Sequence, residues 1–509
     1  MTELLVRTVG LVLTLALGVR WLRVAQREHY LAGRCFWTLR LWMRCYPVDA
    51  ALMAAAVTTL VMALVLEQPR LLLVTAIAGL AVPVQLPLRG RTSRLAWTPR
   101  LRRVAALSAV LEGVVILFAP VPVAAAAVVL GSVAVDLALL LLSPVENRLS
   151  AKYLTQARRR MRQLAPTVIA ITGSFGKTTT KQYLAHLLSG QRSVVPSPAS
   201  FNNAMGLSRA VNEHLPPDTE VFIAEMGTYG PGEIRRLCEI FPPDVAVITA
   251  VGEVHLERMK SLDRILAAKA EITENARTVV LNTDDERLAT LAATLRDKGK
   301  TVLRASLTDP AADVLLREEA EGWRLSIDGR SVGTVRLPPS VHATNAAVAV
   351  AAAMASGADP GTLVGRLDSL PSVAHRMEPE RTANGGWVLD DTYNSNPAGA
   401  AAALRRAAGL AKQTGGNVHV VTPGMVEMGS KQRVRNAELA ASATHLGVQT
   451  LVAVGRTNRS ALRSGAAGLG PDSGFMEVAS RQSAMDLLTS KLGPGDVVLF
   501  ENDLPDHYP

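Results

Sequence analysis

Apolar positions follow two different patterns along this chain. Up to about residue 148 they form long blocks: Leu4–Leu22, Val48–Leu66, Leu71–Leu88, Val104–Pro120 and Val121–Ser143. Several approach the ~20 apolar residues that cross a bilayer as a helix, while the third and fourth are marginal in length or broken by proline. Beyond that point the apolar residues fall into short β-branched runs at Val168–Thr172, Val221–Gly227, Val245–Thr249 and Val279–Asp285, with helical patterns between them. Strands alternating with helices predict a mainly parallel sheet covered on both faces. Trp323–Leu337 alternates in polarity around Asp328-Gly329, a hairpin signal. A further strand set, Trp387–Asp390, Val418–Thr422, Thr450–Val454 and Asp496–Phe500, comes with its own Ala-rich helices. The predicted fold class is an α-helical transmembrane region followed by α/β. The expected domains are 1–148 (membrane, about five helices), 149–375 (a P-loop parallel-sheet domain) and 376–509 (a smaller Rossmann-like unit).

Charge sharpens the first pattern. Arg23, Arg27, Arg34, Arg40 and Arg44 separate the first two blocks, and Arg89, Arg91, Arg94, Arg100, Arg102 and Arg103 separate the third and fourth. The other connections carry almost no positive charge, so the positive-inside rule predicts five spans with an outside N-terminus and a cytoplasmic chain after residue 145, four spans with a re-entrant segment being the alternative. The first block lacks a small-residue cleavage site and does not read as a signal peptide. Net charge is +10, yet no aromatic-studded basic groove accompanies it, which argues for lipid headgroups and against nucleic acid. Glu112 and Asp136 fall inside spans, where a carboxylate either meets a partner or fixes helix packing. Arg20–Tyr46 mixes arginine with Trp21, Tyr30, Phe36, Trp37 and Trp42, as an interfacial helix or a cytoplasmic connector would. Cys35, Cys45 and Cys238 have neither metal-ligand nor disulfide spacing, which suits a reducing compartment.

The candidate chemistry centres on Val168–Thr180. An apolar run enters the turn Gly173, Ser174, Phe175, Gly176, Lys177, Thr178, Thr179, which opens into a helical pattern. Strand, glycine loop and helix aim backbone N–H groups at a phosphate. Lys177 would meet the β/γ-phosphates of ATP and the Thr178 hydroxyl a magnesium ion. Ile171 stands where the commonest P-loop carries its first glycine, so this is the shorter form. Glu225, His255 and Asn282 fall at or just past strand C-termini, where parallel sheets bind ligands. By residue type alone, His255 is equally a structural hydrogen-bonder and Lys269 a solvated helix charge.

Taken in order, these segments resemble the Mur ligases, and within that family the MurF type, over about 165–509. The likeness lies in Gly173–Thr179, Ser200–Gly206, Glu225-Met226-Gly227, Gly252–Glu257, Lys269–Ile272, Asn282–Asp285, His375–Glu378 and Asp391–Pro397. The resemblance implies that Glu225 binds one magnesium ion and His255 a second. It implies a carbamylated Lys269 able to hold metal, an adenine contact for Asn282 and a phosphate contact for Arg376. Asp391 and Asn394 join the nucleotide-binding set. Four departures stand out. Ala250 replaces the usual asparagine, and Ser340–Ala346 keeps only part of its segment. Pro423–Gly429 lacks the family's aspartate, which bears on the amine substrate. The domain with which the MurF type grips a uridine nucleotide has no counterpart, and the apolar blocks stand in its place.

The resemblance implies an ATP- and Mg2+-dependent ligase joining a small-molecule or lipid-linked carboxylate to the amine of an amino acid or peptide. The expected setting is a bacterial-type plasma membrane with the reactive site cytoplasmic, and cell-wall synthesis proteins are possible partners. A poly-γ-glutamate-type or specialised-peptide ligase is the alternative within that chemistry. Two other classes stay open: an ATP-driven transporter component, for which the spans offer few polar residues, and a non-catalytic nucleotide-binding scaffold, against which the intact Lys177, Thr178, Glu225 and His255 set argues.

Overall fold

The computed structural model describes residues 2–88, 95–199, 201–338, 340–372, 378–382, 384–392, 396–469, 474–489 and 492–509. It divides into two units: one holds the chain up to Leu149 with Gly455–Thr457 and Asp503–Pro509, the other Ser150–Val454 and Asn458–Asn502.

The first unit is helical: α1 (Thr2–Arg27), α2 (Arg34–Cys45), α3 (Pro47–Val65), α4 (Leu71–Ala81), α5 (Pro99–Phe118), α6 (Val121–Val129) and the start of α7 (Gly131–Leu164). Proline at the first position opens α3 and α5, and the Thr98 hydroxyl accepts the Leu101 N–H to cap α5. Of the five apolar blocks, two emerge as helices long and apolar enough to cross a membrane, Glu3–Arg27 and Pro47–Val65. The pair α6 and α7, bent by 81°, makes a third if counted as one span. Among the described residues, length and composition thus support two or three spans where the sequence pattern drew five blocks, and helix length accounts for the difference. At 1.5 Å per residue, the 11 residues of α4 and the 9 of α6 fall well short of a ~30 Å hydrocarbon layer. In α5 the first turns carry Arg100, Arg102 and Arg103.

Polar groups inside this unit are mostly accounted for. The Asp136 carboxylate accepts the N–H groups of Cys35 (3.3 Å) and Phe36 (2.9 Å), capping α2 where Gly33 has no side chain to do so. Asp136 thus takes the packing role. Arg20 donates to the carbonyls of Val82 (3.1 Å) and Pro83 (2.8 Å), and Arg23 to Pro87 (2.7 Å), which fastens the segment after α4. Glu112 is buried beside Gly131, where an added Cβ would lie 3.0 Å from its Oε1. The aromatic face of α2 meets residues 503–509: Trp42 Nε1 donates to the His507 carbonyl at 2.9 Å, and Trp37 packs edge-on against Tyr508.

The second unit carries two sheets. The larger contains β1 (Thr167–Thr172), β2 (Val194–Pro196), β3 (Val221–Glu225), β4 (Val245–Ile248), β5 (Thr278–Asn282), β6 (Thr301–Ser306), β7 (Val314–Glu319), β8 (Gly322–Ile327) and β9 (Arg330–Val335), in the order β2-β3-β1-β4-β5-β6-β7-β8-β9. It is parallel through β7, and β8 and β9 turn back as antiparallel strands. The turn between them is Asp328-Gly329 with both φ values positive (48° and 73°), as a two-residue hairpin turn requires. One face buries Val168, Phe222, Ile248 and Leu281 under flanking helices. The other gathers Ile169, Ile223 and Val247 into one core with the helices Lys177–Leu188 and Ala343–Ala355, the latter built almost entirely of small side chains. The smaller sheet runs β10 (Glu378–Arg381), β11 (Trp387–Asp391), β15 (Val497–Glu501), β12 (Val418–Thr422), β13 (Thr450–Val454) and β14 (Phe475–Val478), parallel except for β10. In the larger sheet Ile171 pairs with Glu225 and Thr172 with Ile248, so β1, β3 and β4 end side by side.

Candidate active site

The glycine loop leaves β1 at Thr172 and enters α8 (Lys177–Leu188). Gly173 leaves no room for a side chain: a Cβ there would lie 2.0 Å from Thr249 Oγ1. Gly176 adopts φ 82°, and its Cβ would lie 2.5 Å from Asn345 Oδ1. The loop is braced from β4, where Ser174 N–H donates to the Ala250 carbonyl (2.8 Å) and Gly252 N–H donates to Ser174 Oγ (2.9 Å). Ala250, a departure from the family pattern, therefore contributes through its backbone. No side chain caps α8, the arrangement in which a helix N-terminus receives an anion. Lys177 Nζ donates to the Gly173 carbonyl at 2.8 Å and so lies across the loop.

Beside the loop, β3 ends in Glu225. Thr178 Oγ1 donates to its Oε2 at 2.9 Å, which joins the hydroxyl and carboxylate expected to share magnesium. Asn202, from the turn before the helix Ala204–His214, donates to Oε1 at 3.4 Å. Lys181, one helical turn after Lys177, was not singled out from sequence. Its Nζ sits 3.0 Å from Glu225 Oε2, with both side chains 2% exposed. A lysine one turn into a helix that follows a P-loop is the signal that could have found it. Hydroxyl and carboxylate oxygens fit magnesium, which prefers oxygen ligands and retains waters. Among the described residues no three His, Cys, Asp or Glu side chains converge on a metal position.

Lys269 lies in the last turn of the helix Leu262–Ala270 and is buried. Burial, and secondarily the positive charge of Lys177, push its amine well below the usual lysine value, which favours the neutral form that can take up CO2. Glu271, in the same motif, accepts the N–H groups of Gly232 (2.7 Å) and Arg235 (3.0 Å) and so serves the helix Glu233–Ile240. Asn282 donates to the Thr249 carbonyl at 3.1 Å and ties the end of β5 to β4. Asp285 caps the helix Glu286–Asp297 and accepts the Val251 N–H.

His255 sits in the left-handed region (φ 55°, ψ 26°), its ring edge-on to Tyr229 at 5.0 Å. Its Nδ1 pairs with Glu427 in the loop after β12. Two residues earlier, Glu253 is gripped by Arg435 (2.6 and 2.9 Å) and Lys431 (2.6 Å), and Arg435 above all holds its carboxyl down at about 2. Asp391 closes β11, and its carbonyl accepts the Asn502 N–H. Arg376 and Asn394 lie outside the described residues, as do Ser200 and His375.

Residues 171–353 match the Mur ligase middle domain, and residues 375–501 match the Mur ligase glutamate ligase domain. The UDP-N-acetylmuramoyl-tripeptide–D-alanyl-D-alanine ligase of Mycobacterium tuberculosis is 32% identical over 431 residues, covering 78% of this chain and 83% of the relative. This chain belongs to the Mur ligase family. Among solved structures, MurF from Acinetobacter baumannii is 26% identical with a TM-score of 0.58, over 69% of this chain and 77% of that one. The MurF ligase from Thermotoga maritima, in complex with ADP, shares the fold with a TM-score of 0.58 at 24% identity, over 69% of this chain and 80% of that one. As a Mur ligase the protein is an ATP-dependent carboxylate–amine ligase that uses ATP with Mg2+.

Proposed function

We propose that this Mur ligase forms a peptide bond in cell-wall precursor synthesis, joining the terminal carboxylate of a muramoyl peptide to a dipeptide amine of the D-alanyl-D-alanine kind. The reading places residues 1–148 in the plasma membrane and the ligase portion, 149–375 with 376–509, in the cytoplasm. The observation that carries it is the contact of Thr178 with Glu225 beside the Gly173–Thr179 loop, in a chain whose relative bears the M. tuberculosis ligase name.

A carboxylate does not acylate an amine unaided. ATP converts it to an acyl phosphate, the amine attacks the carbonyl carbon, and inorganic phosphate leaves. Both steps concentrate negative charge on phosphoryl oxygens, so positioning and electrostatics account for most of the catalysis. In this reading loop N–H groups and Lys177 hold the phosphates, joined by Arg376, while Asn282, Asp391 and Asn394 orient the nucleotide. Thr178, Glu225, His255 and a carbamylated Lys269 would hold magnesium, which supplies positive charge against the phosphoryl oxygens when bound. Gly424 stands where the family has its aspartate. A Cβ there would lie 2.3 Å from Asn436 Oδ1, so any larger residue would push the Asn436 side chain aside, and in this reading the amine is met without that carboxylate.

The outward-facing apolar helices of the first unit favour a second reading of the carboxylate as lipid-linked. One experiment tests both. The full chain in nanodiscs receives ATP, Mg2+ and D-alanyl-D-alanine, with either the UDP-linked muramoyl tripeptide or its lipid-linked counterpart. ADP and phosphate should form in step with amide and only when carboxylate and amine are both present. ATP turnover indifferent to the amine would overturn the ligase reading, and the preferred carboxylate decides between its two forms.

A further inference from the structure

The pairing of His255 with Glu427 joins the middle domain to the C-terminal loop Pro423–Gly429, and both partners carry unusual backbone. His255 has φ 55° and Glu427 φ 61°, a strained left-handed conformation in which non-glycine residues persist only where their surroundings enforce it. Here the surroundings do. Asn436 accepts the Met425 N–H (2.7 Å) and donates to its carbonyl (2.9 Å), and Asn458 donates to the carbonyls of Pro423 (2.9 Å) and Met425 (3.0 Å). The loop so clamped presents Glu427 to three groups: Nδ1 of His255, Nη2 of Arg258 at 3.1 Å, and, through its carbonyl, the Glu257 N–H at 2.9 Å. On the middle-domain side, Tyr229 packs against the His255 ring and beneath the Arg258 guanidinium. Glu253, held by Arg435 and Lys431, closes the clasp at its other end.

Given the reading of His255 as a magnesium ligand, on which this inference depends, we propose that Glu427 is a positioning residue for the second metal ion. A carboxylate on one imidazole nitrogen fixes the ring's orientation and tautomer and leaves the other nitrogen, here Nε2, to face the metal. Because Glu427 belongs to the C-terminal domain, seating of that domain and occupancy of the His255 metal position favour each other. Neither the middle domain alone nor a displaced C-terminal loop supplies the same site.

The test uses the full chain in detergent with a non-hydrolysable ATP analogue, and counts bound Mn2+ by electron paramagnetic resonance. Wild type should take up two ions. Glu427→Ala should weaken the second by ~10–100-fold and leave the first ion and the nucleotide within twofold. Glu427→Gln, whose amide oxygen still accepts from Nδ1–H, should recover most of the loss. Unchanged uptake of both ions by Glu427→Ala would overturn the proposal. So would equal weakening of both ions and nucleotide, which marks a disturbed fold, or a Glu427→Gln protein no better than Glu427→Ala. His255→Ala separates this from the reading beneath it, because a second ion undisturbed by that substitution removes His255 as a ligand whatever Glu427 does.

Discussion

The two units of this chain bury opposite things. Among the described residues, every large and well-exposed apolar side chain precedes residue 150 except Tyr153, Met205, Val434 and Leu446, with Val65 73% and Phe118 81% exposed. The same helical unit shelters Arg20, Asp49, Ser108, Glu112, Ser132 and Asp136. The ligase unit is the reverse: apolar strands line the cores on either side of its sheets, and one buried charge pair, Lys181 with Glu225, sits beside the glycine loop. An apolar exterior over sheltered polar groups is what the proposed membrane setting of the first unit requires, and the polar exterior of the second needs only water. The candidate chemistry lies in the second unit, where Thr178, Lys181 and Glu225 meet beside the glycine loop. In the first, Asp136 and Arg20 are spent on backbone groups of neighbouring segments.

The comparison can be broken most forcefully at Lys177. Lys177→Ala should lower amide formation by about 10³-fold or more, in line with losing a charge aimed at the reacting phosphoryl group, while the protein still sediments with membranes. A variant that loses both would tie chemistry and membrane setting together. Next comes the buried pair. Lys181→Met leaves Glu225 without its closest cation, and removal of one partner of such a pair costs about 3–5 kcal/mol. Thermal melting should show it, and an unchanged midpoint would mean that Glu225 is solvated in the free enzyme. The proposed membrane setting is tested by Val57→Lys, at a position in α3 that is 54% exposed. A lysine near the centre of a span costs about 2.5–3.5 kcal/mol of insertion, whereas on a water-facing helix it is nearly neutral, and accumulation in the membrane fraction reads the difference. The smallest effect belongs to Asp136→Ala. Removing a helix cap costs about 0.5–2 kcal/mol, so the detergent-solubilised protein should melt earlier with an unchanged ligase rate.

Local pattern made much of this legible. The strand into Gly173, the turn at Asp328-Gly329 and the polar residues at the ends of β3, β4 and β5 follow from short-range periodicity, and parallel pairing then brings Thr178 and Glu225 together. Three features depend on distant partners. The apolar blocks read as long spans; Pro83 marks the end of α4 locally, but the Arg20 and Arg23 contacts that fasten the segment after it lie about 60 positions away, and nothing in a local window gives the 81° bend between α6 and α7. Glu427 lies 172 positions from His255, so their pairing exists only after the C-terminal domain has docked. The aromatic run Trp37–Trp42 suited a lipid interface by composition, yet it packs against residues 507 and 508, which no hydropathy pattern connects to it.

The central claim is that the terminal phosphoryl group of an ATP seated on the Gly173–Thr179 loop passes to a carboxylate before the amine attacks. Its most direct measurement follows oxygen. Muramoyl tripeptide labelled with oxygen-18 in its terminal carboxylate is turned over by the full chain with ATP, Mg2+ and D-alanyl-D-alanine, and the released phosphate is weighed by mass spectrometry. The mechanism predicts one labelled oxygen in phosphate for each amide formed. Unlabelled phosphate, released at the same rate with or without the dipeptide, would contradict it.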